Sequence, residues 1–365
     1  MISVIGGGPA GLFCAYNLAK KGIRSTVFEE HKRIGEPVQC TGIVTRAIDA
    51  LIRVPGSVIV NRINRVRAHV LGNGMARDTV ELRVDDIVLD RAGFDRHIAD
   101  LALSEGVSIV KNTRVNGILR KNNRLAVIAK DKPYLSSAVI GADGPMSMTR
   151  MHIDKRKLSF LASKQAIVKG RFDDDCYDVF FSDDFPGFFG WLVPESRRVA
   201  RIGLACKGNP NMGFDALFKQ LRLTKASIAA MQGGLIPVYD PYLRTQKDNI
   251  YILGDAAAQL KATTGGGIVP GLAAAETLSL SIASGRMDYQ SAWKKRIGKE
   301  LWLHLFLRKA LDRFSQKDYN KLFTMLSQGR MDGIFSRYDR DNPYKLIFAL
   351  VLKEPGLLRY ALKAI

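Results

Sequence analysis

The sequence is poor in most of the features that would announce a simple function. It holds four cysteines, Cys14, Cys40, Cys176 and Cys206, and no two are spaced CxxC. A zinc knuckle or a dithiol redox pair is therefore not expected, and so few cysteines in a long chain are expected to stay reduced. His31, His69, His97, His152 and His304 fall at no metal-ligand spacing, so no metal site is expected. No apolar run approaches the ~20 residues of a membrane-spanning helix. The N-terminal MISVIGGG has no basic stretch ahead of its apolar one and is read as lacking a signal peptide. Repeats and low-complexity segments are absent. Carboxylates are in deficit: 35 Asp and Glu stand against 55 Lys and Arg, a net charge of +20. That field favours anionic partners without choosing among phosphates, lipid headgroups, acidic proteins and nucleic acid. At 47% hydrophobic and 25% charged the composition is globular, and 365 residues suffice for two or three packed units.

The first thirty residues carry the strongest local pattern. Residues 2–5 read as a buried strand, GGGPAG as a turn, residues 12–21 as a helix stopped by Gly22, and residues 25–28 as a second strand ending at Glu29. Gly6, Gly8 and Gly11 fill the three positions of GxGxxG. The first permits the tight turn, the second lets backbone approach a pyrophosphate, and the third lets helix pack on strand. The helix N-terminus supplies free N–H groups for the phosphates. Glu29 lies where a carboxylate accepts ribose hydroxyls. The pattern predicts a dinucleotide site, without choosing between FAD and NAD.

Two later segments bear on that choice. Residues 139–150 read VIGADGPMSMTR, a strand entering an Asp143-Gly144 turn, and residues 251–255 read YILGD, a strand ending in Asp255. With GxGxxG before them, these resemble the signature of the flavin hydroxylase and reductase superfamily. Three more stretches resemble the archaeal geranylgeranyl reductases: GEPVQCTG at residues 35–42, PGFFGWLVP at residues 186–194 and DPYLRTQKDNIYILGDAAAQLKATTGGGI at residues 240–268. The likeness covers residues 1 to about 284. Ala258 stands where that family usually has Gly, Phe189 where Tyr is commoner, and Val193 where Phe is commoner.

The resemblance implies a noncovalent FAD held by Gly6, Gly8, Ala10, Gly11, Glu29, Cys40, Thr41, Ile43, Arg91, Val115, Asp255, Gly267 and Ile268. In it Asp255 serves the ribityl chain, Arg91 of the DRxxFD string the phosphate side, and the Val115 backbone the adenine. Cys40 is the catalytic candidate, as a proton donor or a packing contact to the flavin ring. Phe189 and Trp191 are the substrate-binding candidates. Chemistry supports the same expectation, because saturating an isolated C=C takes a hydride from a reduced flavin and a proton from an acid. An apolar substrate needs an apolar tunnel, and Phe180, Phe181, Phe185 and Phe188 are further candidates to line it or to form the sheet core.

The expected fold class is α/β: a Rossmann-like FAD domain, a mixed or antiparallel β-sheet substrate domain and a C-terminal helical region. The FAD domain is expected at residues 1–55, 85–155 and 245–290, the sheet domain at 56–84 and 156–244, and the helical region at 291–365. Residues 290–365 carry 16 Lys and Arg against 7 Asp and Glu, interleaved with Trp293, Trp302, Leu303, Phe306 and Leu307. Such a set suits the anionic inner face of the cell membrane, so a cytoplasmic, peripheral protein is expected. The leading function is hydrogenation of geranylgeranyl chains in membrane-lipid precursors, with an isoprenoid lipid substrate. The competing readings are a flavin monooxygenase or halogenase on the same fold and, remotely, an RNA-binding flavoprotein. No nucleic-acid module is visible, so no nucleic-acid partner is expected. A second GxGxxG is missing, which leaves ferredoxin or a free reduced cofactor as the electron donor.

Overall fold

The computed structural model describes residues 1–365 except 73–74, 122–123, 287, 329–330, 339, 362 and 364–365. The chain divides into two compact units. One comprises Met1–Val38, Arg91–Ser159 and Pro237–Trp302; the other comprises Gln39–Asp90, Phe160–Ile236 and Leu303–Ile365.

In the first unit the strand Ile2–Ile5 is central to a six-stranded sheet. It pairs in parallel with Ser25–Phe28 on one side and Ala138–Gly141 on the other. Ser108–Val110 and Ile250–Ile252 extend the parallel array outward, and the short Gln246–Lys247 closes one edge antiparallel. The four residues of each of the three central strands are all buried, as parallel strands covered on both faces require. Helix Pro9–Ala19 packs against helices Arg91–Ser104 and Ile268–Ala283. A three-stranded antiparallel sheet, Val115–Lys121, Arg124–Ala129 and Lys132–Ser136, completes the unit.

The second unit is built on an eight-stranded sheet in the order Ile228–Pro237, Phe160–Lys169, Val199–Cys206, Gly190–Ser196, Cys176–Phe181, Ile59–Gly72, Met75–Leu89, Ile43–Thr45. Phe160–Lys169 with Val199–Cys206, Val199–Cys206 with Gly190–Ser196, Gly190–Ser196 with Cys176–Phe181, and Met75–Leu89 with both Ile59–Gly72 and Ile43–Thr45 pair antiparallel, whereas Cys176–Phe181 and Ile59–Gly72 pair in parallel. Two clusters fill its two sides. Helix Asn211–Gln220 brings Phe214, Leu217 and Phe218 to Phe180, Phe185, Ile202 and Leu204. Helix Gln316–Gln328 brings Phe323 and Tyr319 to Ile63, Val66, Val193 and Trp191.

The α/β class and the mixed sheet agree with the sequence reading; the division of the chain falls elsewhere. The first unit ends its opening segment at Val38, not near residue 55, so the Cys40 loop lies in the second unit. The C-terminal stretch forms no unit of its own, because residues up to Trp302 pack with the first unit and later ones with the second. Trp293, expected among the surface aromatics, is 1% exposed, and its indole N–H donates to Thr245 Oγ1 at 2.7 Å. Leu303, Phe306 and Leu307 are half-buried, and of that group only Trp302 is exposed.

Candidate functional site

Parallel strands deliver their loops to one edge, and the glycine turn, Glu29, Asp143 and Asp255 all follow the carboxyl ends of strands in one parallel sheet. From the central strand the chain leaves to Ser25–Phe28 on one side, while Ala138–Gly141 takes the other. That is a topological switch point, where open α/β sheets bind ligands.

The three glycines meet different surroundings. Gly6 turns at φ +105°, and a Cβ there would fall 2.2 Å from the Ala142 carbonyl oxygen. A Cβ at Gly11 would fall 2.2 Å from the Gly6 carbonyl oxygen, so these two positions fix helix against strand. At Gly8 a Cβ would meet nothing within 4 Å. Gly8 is also the N-cap of helix Pro9–Ala19 and has no side-chain cap. The open space thus borders the end of the helix where N–H groups and positive dipole concentrate. The Ala10 methyl faces the Gly254 turn, where a Cβ would stand 3.1 Å from it.

Glu29 is held beside this turn. Its Oε2 accepts the Gly7 N–H at 2.7 Å; its Oε1 accepts the His31 N–H at 2.8 Å and lies 2.7 Å from His31 Nδ1. A carboxylate accepts at ~4 positions, so capacity for a hydroxyl remains. Asp143 is spent differently: it accepts Ser147 Oγ at 2.6 Å and both the N–H and Oγ1 of Thr149 at 3.0 Å. Arg150 N–H donates to Ser147 Oγ and its guanidinium to the Pro145 carbonyl. The middle motif therefore braces its own loop.

Asp255 sits in the turn Gly254–Ala257, with Oδ1 3.0 Å from where a Cβ on Gly267 would be. Gly267 caps helix Ile268–Ala283, so the carboxyl and a second helix start lie together. Burial raises the Asp255 carboxyl above the usual carboxylate range, and the charge of Arg91 pulls it back. Arg91 opens helix Arg91–Ser104 and donates Nη2 to Asp95 at 2.8 and 3.1 Å. Ala258, the departure from the family glycine, holds φ +50° with its methyl buried in the core. Val115 begins the three-stranded sheet and is buried.

The second unit holds the remaining candidates. Cys40 is half-buried, and its Sγ accepts the Gly42 N–H at 3.4 Å. Its carbonyl accepts Arg201 Nη1, while Arg201 Nε donates to Glu195 Oε1 at 2.6 Å. Thr41 and Ile43 are half-buried in the same loop and the strand that follows. Trp191 donates its indole N–H to Gln165 Oε1 at 2.8 Å, and Gln165 in turn donates to Gln232 at 2.6 Å. Phe189 lies edge-on to Trp191 with ring centres 6.2 Å apart, and Phe181 stacks on Tyr319 at 4.9 Å. Phe180 and Phe185 join the core cluster on the Asn211–Gln220 side, and Phe188 is buried. These three are buried, and strand alternation sends Phe180 to the face opposite Phe181.

Arg201, Glu195, Gln165 and the buried Lys261 were not anticipated. One signal was available for Arg201: a charge in the middle of VARIGLAC, a strand whose other residues are all apolar or glycine. No cluster of metal-ligating side chains occurs among the described residues.

The sheet, the glycine turn and the strand-end acids together form a Rossmann-like dinucleotide-type site in a fold shared with flavin-dependent reductases and halogenases. Residues 4–42 match the model of the NAD(P)-binding Rossmann-like domain. Over most of its length the chain is homologous to the digeranylgeranylglycerophospholipid reductases. It is 29% identical to the one from Methanothrix thermoacetophila, covering 88% of this chain and 90% of that protein. Among solved structures it superposes on a geranylgeranyl bacteriochlorophyll reductase-like protein from Thermoplasma acidophilum with TM-score 0.84 and 20% identity, covering 100% and 98% of the two chains. A flavin-dependent brominase shares the fold at TM-score 0.69 and 16% identity, covering 99% of each chain.

Proposed function

We propose that this protein is an FAD-dependent reductase that hydrogenates the C=C bonds of geranylgeranyl chains on glycerophospholipids. The observation that carries the reading is homology to the digeranylgeranylglycerophospholipid reductases over 88% of the chain. The residues fit the cofactor. Gly8 leaves an open cradle at a helix start, Glu29 is fixed with acceptor capacity to spare, and Asp255 stands beside a second helix start. Gly6, Gly8, Ala10 and Gly11 would take the pyrophosphate, Glu29 the ribose and Asp255 the ribityl chain, with Arg91, Val115, Gly267 and Ile268 completing the set. When bound and reduced, the flavin supplies the hydride.

The chain's own part is to bind, orient and keep water out. Gly7 and His31 fix the Glu29 carboxylate as an acceptor. Arg91 moderates the charge on Asp255. In the second unit Arg201 ties down the Cys40 carbonyl, which limits where the thiol can move, and Gln165 holds the Trp191 indole in one orientation. Apolar contacts are weakly directional, so successive double bonds of a flexible polyprenyl chain bind with similar affinity. Thr41 and Ile43, like Cys40, would contact the flavin, and Phe189 and Trp191 offer aromatic surface to the chain. Cys40 is the proposed proton source. The electron donor is proposed to be ferredoxin or a free reduced cofactor.

The test is anaerobic incubation of dithionite-reduced holoprotein with digeranylgeranylglyceryl phospholipid, read by mass spectrometry. The expected product is a ladder of masses rising by two hydrogens per step. A hydroxylated or halogenated product in air, with no ladder under anaerobic conditions, would move the protein to the monooxygenase and halogenase branch. Cys40→Ser should keep its flavin and slow each step at least ~10-fold, about 1.4 kcal/mol of barrier. Unchanged single-turnover rates would reduce Cys40 to a packing residue.

A further inference from the structure

Helix Pro343–Lys353 has the sequence PYKLIFALVLK, yet only Pro343 among its residues is buried. Its principal neighbours are helix Asp332–Arg337 and the turn Pro355–Leu357, both adjacent in sequence. Tyr344, Phe348 and Leu352 recur every four residues and are exposed to 43, 66 and 67%, and Leu358 follows at 56%. Four-residue spacing places the first three on one helical stripe. Ile347 and Val351 are half-buried beside it. A helix this short gains little stability by itself in water, and this one keeps its largest apolar side chains outside the core.

Charge selects the occupant. Residues 342–365 carry Lys345, Lys353, Arg359 and Lys363 against one carboxylate, Glu354. Lys345, Lys353 and Arg359 are exposed, next to the stripe. Pairing the stripe with a second copy of itself would bring like charges together. A surface that is apolar below and anionic at its boundary satisfies both features at once. We infer that helix Pro343–Lys353 docks the protein on an anionic lipid bilayer, with Tyr344, Phe348 and Leu352 in the acyl boundary and Lys345, Lys353 and Arg359 at the headgroups. This relocates the membrane surface expected from the sequence. Trp293 is core, and several basic residues upstream of the stripe are already paired, as Arg296 is with Glu276 and Arg308 with Asp312. The inference does not depend on the substrate.

The experiment is co-sedimentation of the full chain with phosphatidylcholine vesicles and with mixed phosphatidylglycerol–phosphatidylcholine vesicles. Binding should be at least ~10-fold tighter to the mixed vesicles and should weaken as salt rises. Phe348→Glu should lower binding at least ~10-fold while circular dichroism and thermal midpoint stay as in wild type, since the side chain lies outside the core. Phe348→Trp should shift its emission to the blue on adding mixed vesicles and not on adding phosphatidylcholine alone. Wild-type binding by Phe348→Glu, or equal binding to both vesicle types, would overturn the inference. A dimer in solution that Phe348→Glu converts to monomer would assign the stripe to a second copy instead.

Discussion

A side chain has room at Gly8 and none at Gly6 or Gly11, so one motif forecasts two kinds of failure. Gly8→Val puts a side chain into the open cradle, where its Cβ meets no protein atom within 4 Å. It should give a folded protein, near wild type in thermal midpoint without ligand, that purifies without flavin absorbance. Gly11→Val drives a side chain into the Gly6 carbonyl and should lose both stability and flavin, with an overpacking cost of about 1–3 kcal/mol or more by denaturant titration. Normal flavin content in Gly8→Val would remove the phosphates from this turn. Asp255 carries a pH signature. Burial raises its folded-state pKa, so its ionisation opposes folding once the pH exceeds the ordinary carboxylate range, near ~4. Below that range the carboxyl is protonated in folded and unfolded chains alike, and the effect vanishes. Asp255→Asn should therefore raise the thermal midpoint of the flavin-free protein at pH 7, lose that advantage on acidification through pH ~4, and bind flavin poorly. A lower midpoint at pH 7 would contradict it.

Among the elements, helix Gln316–Gln328 shows how a local signal becomes a measurable one. Ser315 and Asp318 form a reciprocal cap: Asp318 Oδ2 accepts the Ser315 N–H at 2.8 Å, and Ser315 Oγ accepts the Asp318 N–H at 3.3 Å. Lys363 Nζ donates to the same carboxylate at 2.6 Å. Led by Lys363 and then Ser315, these bonds lower the Asp318 pKa to about 2. The stabilisation is full above pH ~4 and fades as pH falls towards ~2. Amide protection factors in residues 317–328, taken relative to the intrinsic rate at each pH, should fall over that window in wild type and be flat across it in Asp318→Asn. A half-buried arginine secures the strand Met75–Leu89 through a buried carboxylate: Arg340 makes a bidentate bond to Asp86 at 2.9 and 3.0 Å and touches the Tyr177 hydroxyl. Arg340→Met leaves Asp86, 3% exposed, without that partner, so unfolding should cost about 3–5 kcal/mol less than in wild type. Adding Asp86→Leu to it should recover part of the loss. These ties also mark where sequence reading ends. GxGxxG, Glu29 and the strand-end acids are legible because each depends on spacing within about thirty residues. The bond from Arg201 to Cys40 spans 161 residues and that from Arg340 to Asp86 spans 254, and no periodicity encodes either. Phe180 and Phe181 differ only in strand phase, which composition does not reveal. Residues 346–352 are all apolar in the sequence, but that Phe348 and Leu352 among them are exposed is a property of the tertiary fold.

On the scale of the whole molecule, the chain alternates between its two units through six segments. The central parallel sheet takes strands from near residues 2, 25, 108, 138 and 250, and the helix that packs on helix Pro9–Ala19 begins only at Ile268. A fragment ending at Ser159 lacks the outer strand and helix Ile268–Ala283, against which helix Pro9–Ala19 packs. Expressed alone, it should show no cooperative thermal transition and no flavin absorbance, whereas the full chain should show both. The interleaving also bears on how the protein is made. A ribosome delivers residues in order, so Ala138–Gly141 emerges with its outer edge bare and waits for Ile250–Ile252. At ~5–20 residues per second that wait lasts on the order of ten seconds. For that time the nascent chain shows an unpaired apolar edge, and the first unit is not complete until Trp302 has emerged, after most of the second has been made. Holdase chaperones should therefore raise the yield of soluble protein more than they would for a protein whose domains follow one another along the chain, and slowing translation between residues 141 and 250 should lower it.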